Sequence, residues 1–302
     1  MNTYIPKYIK EKSRGLLSKK IKQSTALLTS CTLCPRQCKV NRTKEEKGYC
    51  STGKKAFVSS FSAHFGEEPQ LVGDKGSGTI FFSNCNLKCI FCQNYDISVN
   101  GTGQEIEDES IASIMLYLQK IGCHNINLVT PSHVVPQILK ALDIAIDYGL
   151  NIPLIYNCSG YESIDTLRIL KGIIDIYMPD FKFWNPKISK TYCNALNYPQ
   201  IARNAVKEMF DQVGDLKVDK ASIAYSGLLV RHLVMPGNLD GTYHILKFLK
   251  EKISSHTHVN IMSQYHPMGN AGKIKELSCP LTPEEFRSAM QMAKKFDLKI
   301  IH

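Results

Sequence analysis

The chain has 302 residues, enough for one large hydrophobic core or a core with a small appendage. Hydrophobic residues make up 43% and charged residues 21%, as in ordinary soluble globular proteins, and no stretch approaches the roughly 20 apolar residues of a membrane span. The eleven cysteines come without the apolar segment of a secretory signal, which argues against a disulfide framework. We therefore expect metal-binding or catalytic cysteines in a cytoplasmic protein.

The formal net charge is +10, and a basic chain raises the question of a nucleic-acid partner. Much of the charge lies in the N-terminal segment, where lysines recur between Lys7 and Lys22. We interpret this segment as a solvated basic arm, because the sequence contains no aromatic and basic nucleic-acid-binding module. A non-catalytic, metal-containing nucleic-acid-binding protein is thus the least favoured reading of the chain.

Residues 1–76 are predicted to form a basic arm and a small cysteine-rich segment. Cys31, Cys34, Cys38 and Cys50 have the spacing C-x2-C-x3-C-x11-C. Four sulfurs complete the coordination of a metal centre, which indicates a structural or electron-transferring site rather than a substrate-binding one. An iron–sulfur cluster and a zinc ion are both compatible with this spacing. We slightly favour the cluster, since it could relay electrons to a second iron–sulfur site.

Such a second site is predicted directly after the first strand, at residues 78–83. Cys85, Cys89 and Cys92 follow with the spacing C-x3-C-x2-C, and no fourth cysteine lies nearby. Iron–sulfur clusters are normally held by four thiolates, so a [4Fe-4S] cluster bound here would keep one iron open. An open coordination position distinguishes a catalytic metal site from a structural one. A zinc site fits poorly, because zinc usually takes paired C-x2-C cysteines and four ligands.

Helices and short apolar strands alternate in the rest of the chain. Ile111, Ile114, Met115 and Leu118 have helical spacing, and Gly149 is a typical residue to end a helix over 134–148. Further strands are predicted at 125–130, 152–157, 173–179, 227–235 and 259–264, and a last helix at 283–296. Continuous apolar strands alternating with helices indicate a parallel sheet covered on both faces. Six such units predict an α/β fold for residues 77–302, a partial (β/α)6 barrel.

Polar residues follow several of these strands, at the edge where parallel folds gather their chemistry. Each one alone has a bland explanation; Ser132, for example, is a suitable N-cap for the following helix. Their convergence on one rim is what predicts a site. The strand-end candidates are Thr130, Ser132, Asn157, Ser159, Asp180, Lys182, Arg231 and His266.

The three-cysteine loop, with Phe91 just before its last cysteine, resembles the signature of the radical S-adenosylmethionine (radical SAM) superfamily. With Asp180-Phe181-Lys182, Arg231-His232 and Tyr265-His266, residues 78–300 resemble the glycyl-radical-enzyme activases, the family of pyruvate formate-lyase activating enzyme. The N-terminal cysteines and the segment His64 to Pro69 make the whole chain similar to a related subgroup of unassigned substrate.

This resemblance implies a [4Fe-4S] cluster on Cys85, Cys89 and Cys92 whose open iron binds SAM. Reductive cleavage of SAM then gives a 5′-deoxyadenosyl radical that abstracts hydrogen from a substrate. The residues implied in SAM binding are Lys182 and Arg231 for the carboxylate, Asn157 for the ammonium or ribose, Ser159 and His266 for the ribose, Gln93 and Asn94 for the adenine end, and Phe91, Thr130, Ser132 and Asp180 around them. An ion pair with Asp180 is the alternative for Lys182.

The resemblance also implies partners. SAM and an electron donor such as flavodoxin or ferredoxin would be needed, and a glycyl-radical enzyme would present its glycine to the barrel mouth. The type activase lacks the N-terminal cysteine segment, so another peptide or a small molecule is the alternative substrate.

Overall fold

The computed structural model describes residues 4–301 and is built around one mostly parallel sheet. The strands are β1 (Ala56–His64), β2 (Ser77–Phe82), β3 (Gln104–Ile106), β4 (Ile126–Val129), β5 (Leu154–Cys158), β6 (Ile176–Pro179), β7 (Lys217–Val218), β8 (Ala224–Leu233), β9 (His258–Met262) and β10 (Lys299–Ile301). Their order across the sheet is β10-β9-β8-β6-β5-β4-β2-β1-β3, with β7 paired to β8.

Helices connect most of these strands. They are α1 (Lys7–Ser13), α2 (Leu16–Ala26), α3 (Pro69–Val72), α4 (Tyr95–Ser98), α5 (Asp108–Lys120), α6 (Val135–Asp147), α7 (Ile164–Leu170), α8 (Pro186–Cys193), α9 (Tyr198–Val213), α10 (Thr242–Phe248) and α11 (Pro283–Lys295). Short helical turns occur at Arg42–Lys44, Pro236–Asn238, Leu249–Ile253, Ala271–Lys273 and Lys275–Leu277. Within residues 4–301, no helix combines the length and the apolar character that crossing a bilayer requires.

The strands β2, β4, β5, β6, β8 and β9 are mutually parallel and correspond to the six predicted strands. The predicted α/β architecture is therefore confirmed. The sheet is wider than expected, because β10 adds a parallel strand beside β9 and β1 pairs antiparallel with β2. The strand β1 was not predicted, because Ser59, Ser60 and Ser62 leave it no continuous apolar run.

The two faces of the sheet pack against different partners because successive side chains of a strand point in opposite directions. Tyr156 and Tyr177 belong to the large core shared with the helices. Their neighbours Ile155 and Ile176 belong to a smaller cluster that also contains Leu71 of α3. The connection from β1 to β2 thus reaches the inner face of the sheet and packs against it.

The N-terminal helices pack on the outside of the same structure. Helix α2 contacts α6 and α7, and Leu17 is fully buried in the main core. A separate small cluster of Leu28, Cys31 and Leu33 surrounds part of the N-terminal cysteine segment. The domain boundary near residue 76 stays a prediction. Strand β1 lies on the N-terminal side of this boundary, yet it pairs with β2, which lies on the C-terminal side.

Candidate active site

The three-cysteine loop begins where β2 ends, at the carboxyl edge of the parallel sheet. Cys85 and Cys89 are buried and Cys92 is half-buried. Asn84 and Lys88 have φ values of 71° and 52°, so the chain winds tightly around the first cysteine. The backbone N–H of Leu87 donates to Cys85 Sγ over 3.3 Å. Such a donor stabilises a thiolate, the form in which cysteine ligates iron.

Burial disfavours the ionised form of these thiols when no metal is bound. It raises the pKa of Cys85 to about 12, and the neighbouring Cys89 adds to the increase. Ionisation of the loop cysteines therefore requires a compensating positive charge, which bound iron supplies. A donor set of three free, inward-facing thiols with a backbone N–H on one sulfur fits a cluster that keeps one iron open.

A fourth thiol joins the loop from the end of α8. Cys193 is buried, and its Sγ lies 3.3 Å from Cys89 Sγ. In the sequence, Cys193 stands apart from both cysteine groups. No local pattern could have revealed the contact, because the two cysteines are 104 positions apart.

The loop cysteines form one wall of a cavity of about 260 Å³ at the carboxyl ends of the strands. Nine of the eleven residues predicted to bind SAM line this cavity, together with the three cysteines. They are Phe91, Gln93, Asn94, Thr130, Asn157, Ser159, Asp180, Lys182 and Arg231. The sheet thus gathers side chains from β5 and β8 and from the segments that follow β2, β4, β5 and β6.

Two predicted residues lie outside this cavity. Ser132 is buried, and its hydroxyl donates to Glu162 Oε1 over 2.5 Å. His266 is exposed and is absent from the cavity lining. The structure therefore gives no support to the prediction that Ser132 and His266 bind SAM.

The cations of the cavity are already paired with carboxylates. Lys182 Nζ lies 2.6 Å from Asp180 Oδ2, so the alternative predicted for this lysine occurs in the structure. Burial opposes the charge on Lys182, yet Asp180 and then Cys89 outweigh it and raise the lysine pKa. The ammonium group therefore stays charged and acts on the cysteine wall as well as on Asp180.

Arg231 is held from below by two glutamates. Its Nε and Nη2 donate to the carboxylate of Glu68 over 2.8 and 3.0 Å, and Nη2 also contacts Glu67. Asn260 donates to Glu68 Oε1 over 2.7 Å. Burial opposes the charge on Arg231, but Glu68 and Glu67 raise its pKa further than burial lowers it. This network forms the floor of the cavity.

Glu67 lines the cavity, but neither glutamate was predicted to belong to the site. The available signal was the pair Glu67-Glu68 followed by Pro69, two acidic residues before a short helix. That pattern resembles an ordinary helix start, so only the fold shows that the pair meets Arg231.

Two lining residues have unusual local structure. Thr130 has a φ of 59°, a left-handed conformation that β-branched residues rarely adopt. The buried hydroxyl of Ser159 has no hydrogen-bond partner in the part of the chain that the structure describes. Strained backbone and spare hydrogen-bonding groups concentrate at binding sites, because a ligand compensates for them.

The N-terminal cysteines form a second group beside this site. Cys31, Cys34, Cys38 and Cys50 line one small cavity together with Arg36 and Arg42. Cys31, Cys34 and Cys50 are buried, Cys38 is half-buried, and all four are free thiols.

A mostly parallel α/β sheet with a three-cysteine loop after its first parallel strand defines a class of enzymes that hold an iron–sulfur cluster with one open iron. A family model described as the Radical SAM superfamily matches residues 79–249. An uncharacterised protein of Methanocaldococcus jannaschii, MJ0674, is 32% identical over 295 residues, covering 95% of this chain and 81% of that protein. The chain belongs to the Radical SAM superfamily.

One solved structure shares the fold, and a second is less similar. SuiB of Streptococcus suis, bound to its precursor peptide SuiA, has a TM-score of 0.51 and 12% identity, covering 72% of this chain and 46% of SuiB. Methylornithine synthase (PylB) has a TM-score of 0.49 and 14% identity, covering 74% of this chain and 63% of that one. The chain spans less than two thirds of both structures. Superfamily membership implies a [4Fe-4S] cluster, SAM and radical chemistry.

Proposed function

We propose that this enzyme abstracts a hydrogen atom from a peptide substrate, with installation of a glycyl radical on a partner enzyme as the leading case. The observation that carries the proposal is the single cavity that joins the three cluster cysteines to nine of the predicted SAM residues. When bound, the cluster and SAM supply the 5′-deoxyadenosyl radical. The chain's own residues hold the cofactor, orient the substrate and exclude water.

Lys182 is the best placed cation for the SAM carboxylate, because its charge already acts on Cys89 at the cysteine wall. Asp180, held by Lys182, would accept from the SAM ammonium group. Asn157 and Ser159 would contact the ammonium and ribose, and Phe91, Gln93, Asn94 and Thr130 the adenine end and its surroundings. Arg231 would act mainly as the floor of the site, since two carboxylates already engage it.

The nature of the cavity supports a peptide over a phosphorylated small molecule. Both cations of the lining, Lys182 and Arg231, are paired with carboxylates. Among the polar lining residues that are not assigned to SAM, Ser98 and Gln264 are neutral. Such groups hydrogen-bond a peptide backbone. SuiB, which shares the fold, was solved with a precursor peptide.

The remaining parts of the proposal follow from the chemistry. Reduced flavodoxin or ferredoxin would supply the electron, and the free cysteines suit the reducing cytoplasm. Residues 1–76 would carry a second metal centre, an iron–sulfur cluster or zinc, at Cys31, Cys34, Cys38 and Cys50. Nucleic acid and membrane have no part in this function.

The test is anaerobic reconstitution with iron and sulfide, followed by dithionite and SAM and by chromatography of the products. We expect 5′-deoxyadenosine from the wild type and from Cys279→Ala, a matched change of an exposed cysteine. Cys89→Ala should give none, because it removes a cluster ligand. A glycyl-radical enzyme or glycine-containing peptide added to the assay should increase turnover and acquire a radical signal. Turnover that responds only to a small molecule would refute the peptide proposal.

A further inference from the structure

The four N-terminal cysteines surround one cavity, yet they do not form a single-ion site. Among residues 4–301, no group of three or more His, Cys, Asp or Glu side chains is arranged to hold one metal ion. A zinc site would need sulfurs about 3.8 Å apart, because its tetrahedral Zn–S bonds are about 2.3 Å long. A multi-iron cluster places each cysteine on a different iron and therefore spreads the sulfurs further apart.

The cluster-binding loop of the active site provides an internal comparison. Cys85, Cys89 and Cys92 likewise line one cavity without meeting single-ion geometry. Superfamily membership gives that set a [4Fe-4S] cluster. The N-terminal cysteines share both properties, with a fourth sulfur in addition.

Arg42 indicates the charge of the occupant. Its side chain is 1% exposed and lines the cavity of the four cysteines. Nε donates to Gly53 O over 2.9 Å and Nη1 to His133 O over 2.7 Å, but the buried Nη2 has no partner within the described residues. A buried guanidinium is stable only beside a compensating anion. A cluster ligated by four thiolates is such an anion, and its sulfurs accept hydrogen bonds.

The cysteine segment also packs closely around Cys38. The backbone N–H of Tyr49 donates to Cys38 Sγ over 3.3 Å. A Cβ added at Gly48 would lie 2.8 Å from the same sulfur, so only glycine allows this approach. A hydrogen bond to a cysteine sulfur is one of the ways in which proteins set the potential of an iron–sulfur cluster.

Arg36 joins this segment directly to the active-site loop. Its guanidinium donates to Asn86 O over 2.9 Å and stacks 3.8 Å above the ring of Tyr49. Lys88 Nζ donates to Ser51 Oγ over 3.1 Å. The two cysteine loops are therefore in contact through residues that lie between or directly beside their cysteines.

From these observations we infer that Cys31, Cys34, Cys38 and Cys50 hold a second iron–sulfur cluster. All four ligand positions are filled by the protein, so the cluster would transfer electrons rather than bind substrate. Its segment contacts the Cys85 loop, so such a cluster would pass electrons to the active-site cluster. This electron-transfer role rests on the proposed function, whereas the presence of the cluster does not.

The triple variant Cys85→Ala/Cys89→Ala/Cys92→Ala tests this inference, because it retains only the N-terminal cysteine site. After anaerobic reconstitution we expect about four iron and four sulfide per chain. Dithionite should produce an electron paramagnetic resonance signal that SAM leaves unchanged, since no iron is open. One zinc per chain without iron, or no metal in a folded chain, would overturn the inference.

If the triple variant does not fold, a complementary variant tests the same inference. Cys31→Ser/Cys34→Ser should contain about four iron, against about eight in the wild type. Cys123→Ser/Cys279→Ser, which changes two cysteines outside both cavities, should keep the wild-type content. Equal iron in the Cys31→Ser/Cys34→Ser variant and the wild type would refute the second cluster. If the triple variant retains its iron while the wild type never makes 5′-deoxyadenosine, the proposed function fails and the second cluster stands.

Discussion

The contact between Cys193 and Cys89 is the feature of a single residue that bears most directly on the chemistry. Cys193 is 1% exposed, and its thiol lies 3.3 Å from the sulfur of Cys89, which we propose as a cluster ligand. With Cys89 bound to iron as a thiolate, the Cys193 S–H becomes the donor of a hydrogen bond to it. Such a bond withdraws electron density from the ligand and favours the more negative, reduced cluster.

Replacement of Cys193 by alanine should lower the reduction potential of the active-site cluster, because the reduced form loses this donor. The measurement is a redox titration of the reconstituted enzyme followed by electron paramagnetic resonance. Cys193→Ser, which keeps a donor, should lie between the alanine variant and the wild type. Cys123→Ala changes a buried cysteine outside the cavity and should leave the potential unaltered. An unchanged potential in Cys193→Ala would show that the contact is only packing.

At the scale of elements, the connection between β1 and β2 closes the inner face of the sheet. Leu71 of α3 packs against the inward side chains of β5 and β6, and Asn125 donates to Leu71 O over 2.8 Å. The same connection places Glu67 and Glu68 under Arg231. The β1–β2 connection therefore supplies the apolar side chain that packs on the inner face and the two carboxylates that contact Arg231 at the bottom of the cavity.

Glu68→Ala should lower the free energy of unfolding by about 3 kcal/mol, because it leaves Arg231 and Asn260 buried with fewer partners. Denaturant unfolding of the reconstituted enzyme, followed by circular dichroism, measures this loss. Glu105→Ala removes a half-exposed glutamate from the edge strand β3 and should cost less than about 1 kcal/mol. A similarly small effect at Glu68 would mean that the Arg231 network does not stabilise the fold.

At the scale of the whole molecule, Asp175 fastens the beginning of the chain to the middle of the sheet. It is fully buried and accepts from Tyr4 Oη over 2.6 Å, Lys7 N over 3.0 Å and Leu154 N over 2.9 Å. Burial raises its pKa from 3.8 to about 6, despite these donors. The folded chain therefore binds the proton of Asp175 more tightly than the unfolded chain does.

Because the folded pKa is the higher one, the contribution of Asp175 to stability is full below pH 4 and declines as the pH rises to about 6. Over this interval, the free energy of unfolding of the wild type should fall by about 3 kcal/mol relative to Asp175→Asn. Denaturant titrations between pH 4 and 7 measure the difference. Asp165→Asn, at an exposed aspartate, should parallel the wild type. Parallel curves for Asp175→Asn would exclude this linkage.

Much of the architecture could be predicted because it depends on local patterns. The six apolar runs became the parallel strands β2, β4, β5, β6, β8 and β9, and the spacing of Ile111, Met115 and Leu118 became the buried face of α5. The strand β1 escaped prediction because its middle is exposed and its pairing is antiparallel. The sequence placed the strand ends on one rim, but it could not tell which side chains enter the cavity. Ser132 was predicted there and instead bonds Glu162, whereas Glu67 lines the cavity without having been predicted.

The sequence by itself determined the three-cysteine loop, the four-cysteine segment and the alternation of strands and helices, since ligand spacing and side-chain periodicity are properties of neighbouring residues. Only the tertiary structure decided that Cys193 meets Cys89 across 104 positions and that Arg231 meets Glu68 across 163. It also brought Arg36 onto the active-site loop. These contacts depend on strand order and on how helices pack against the sheet, which no short segment encodes.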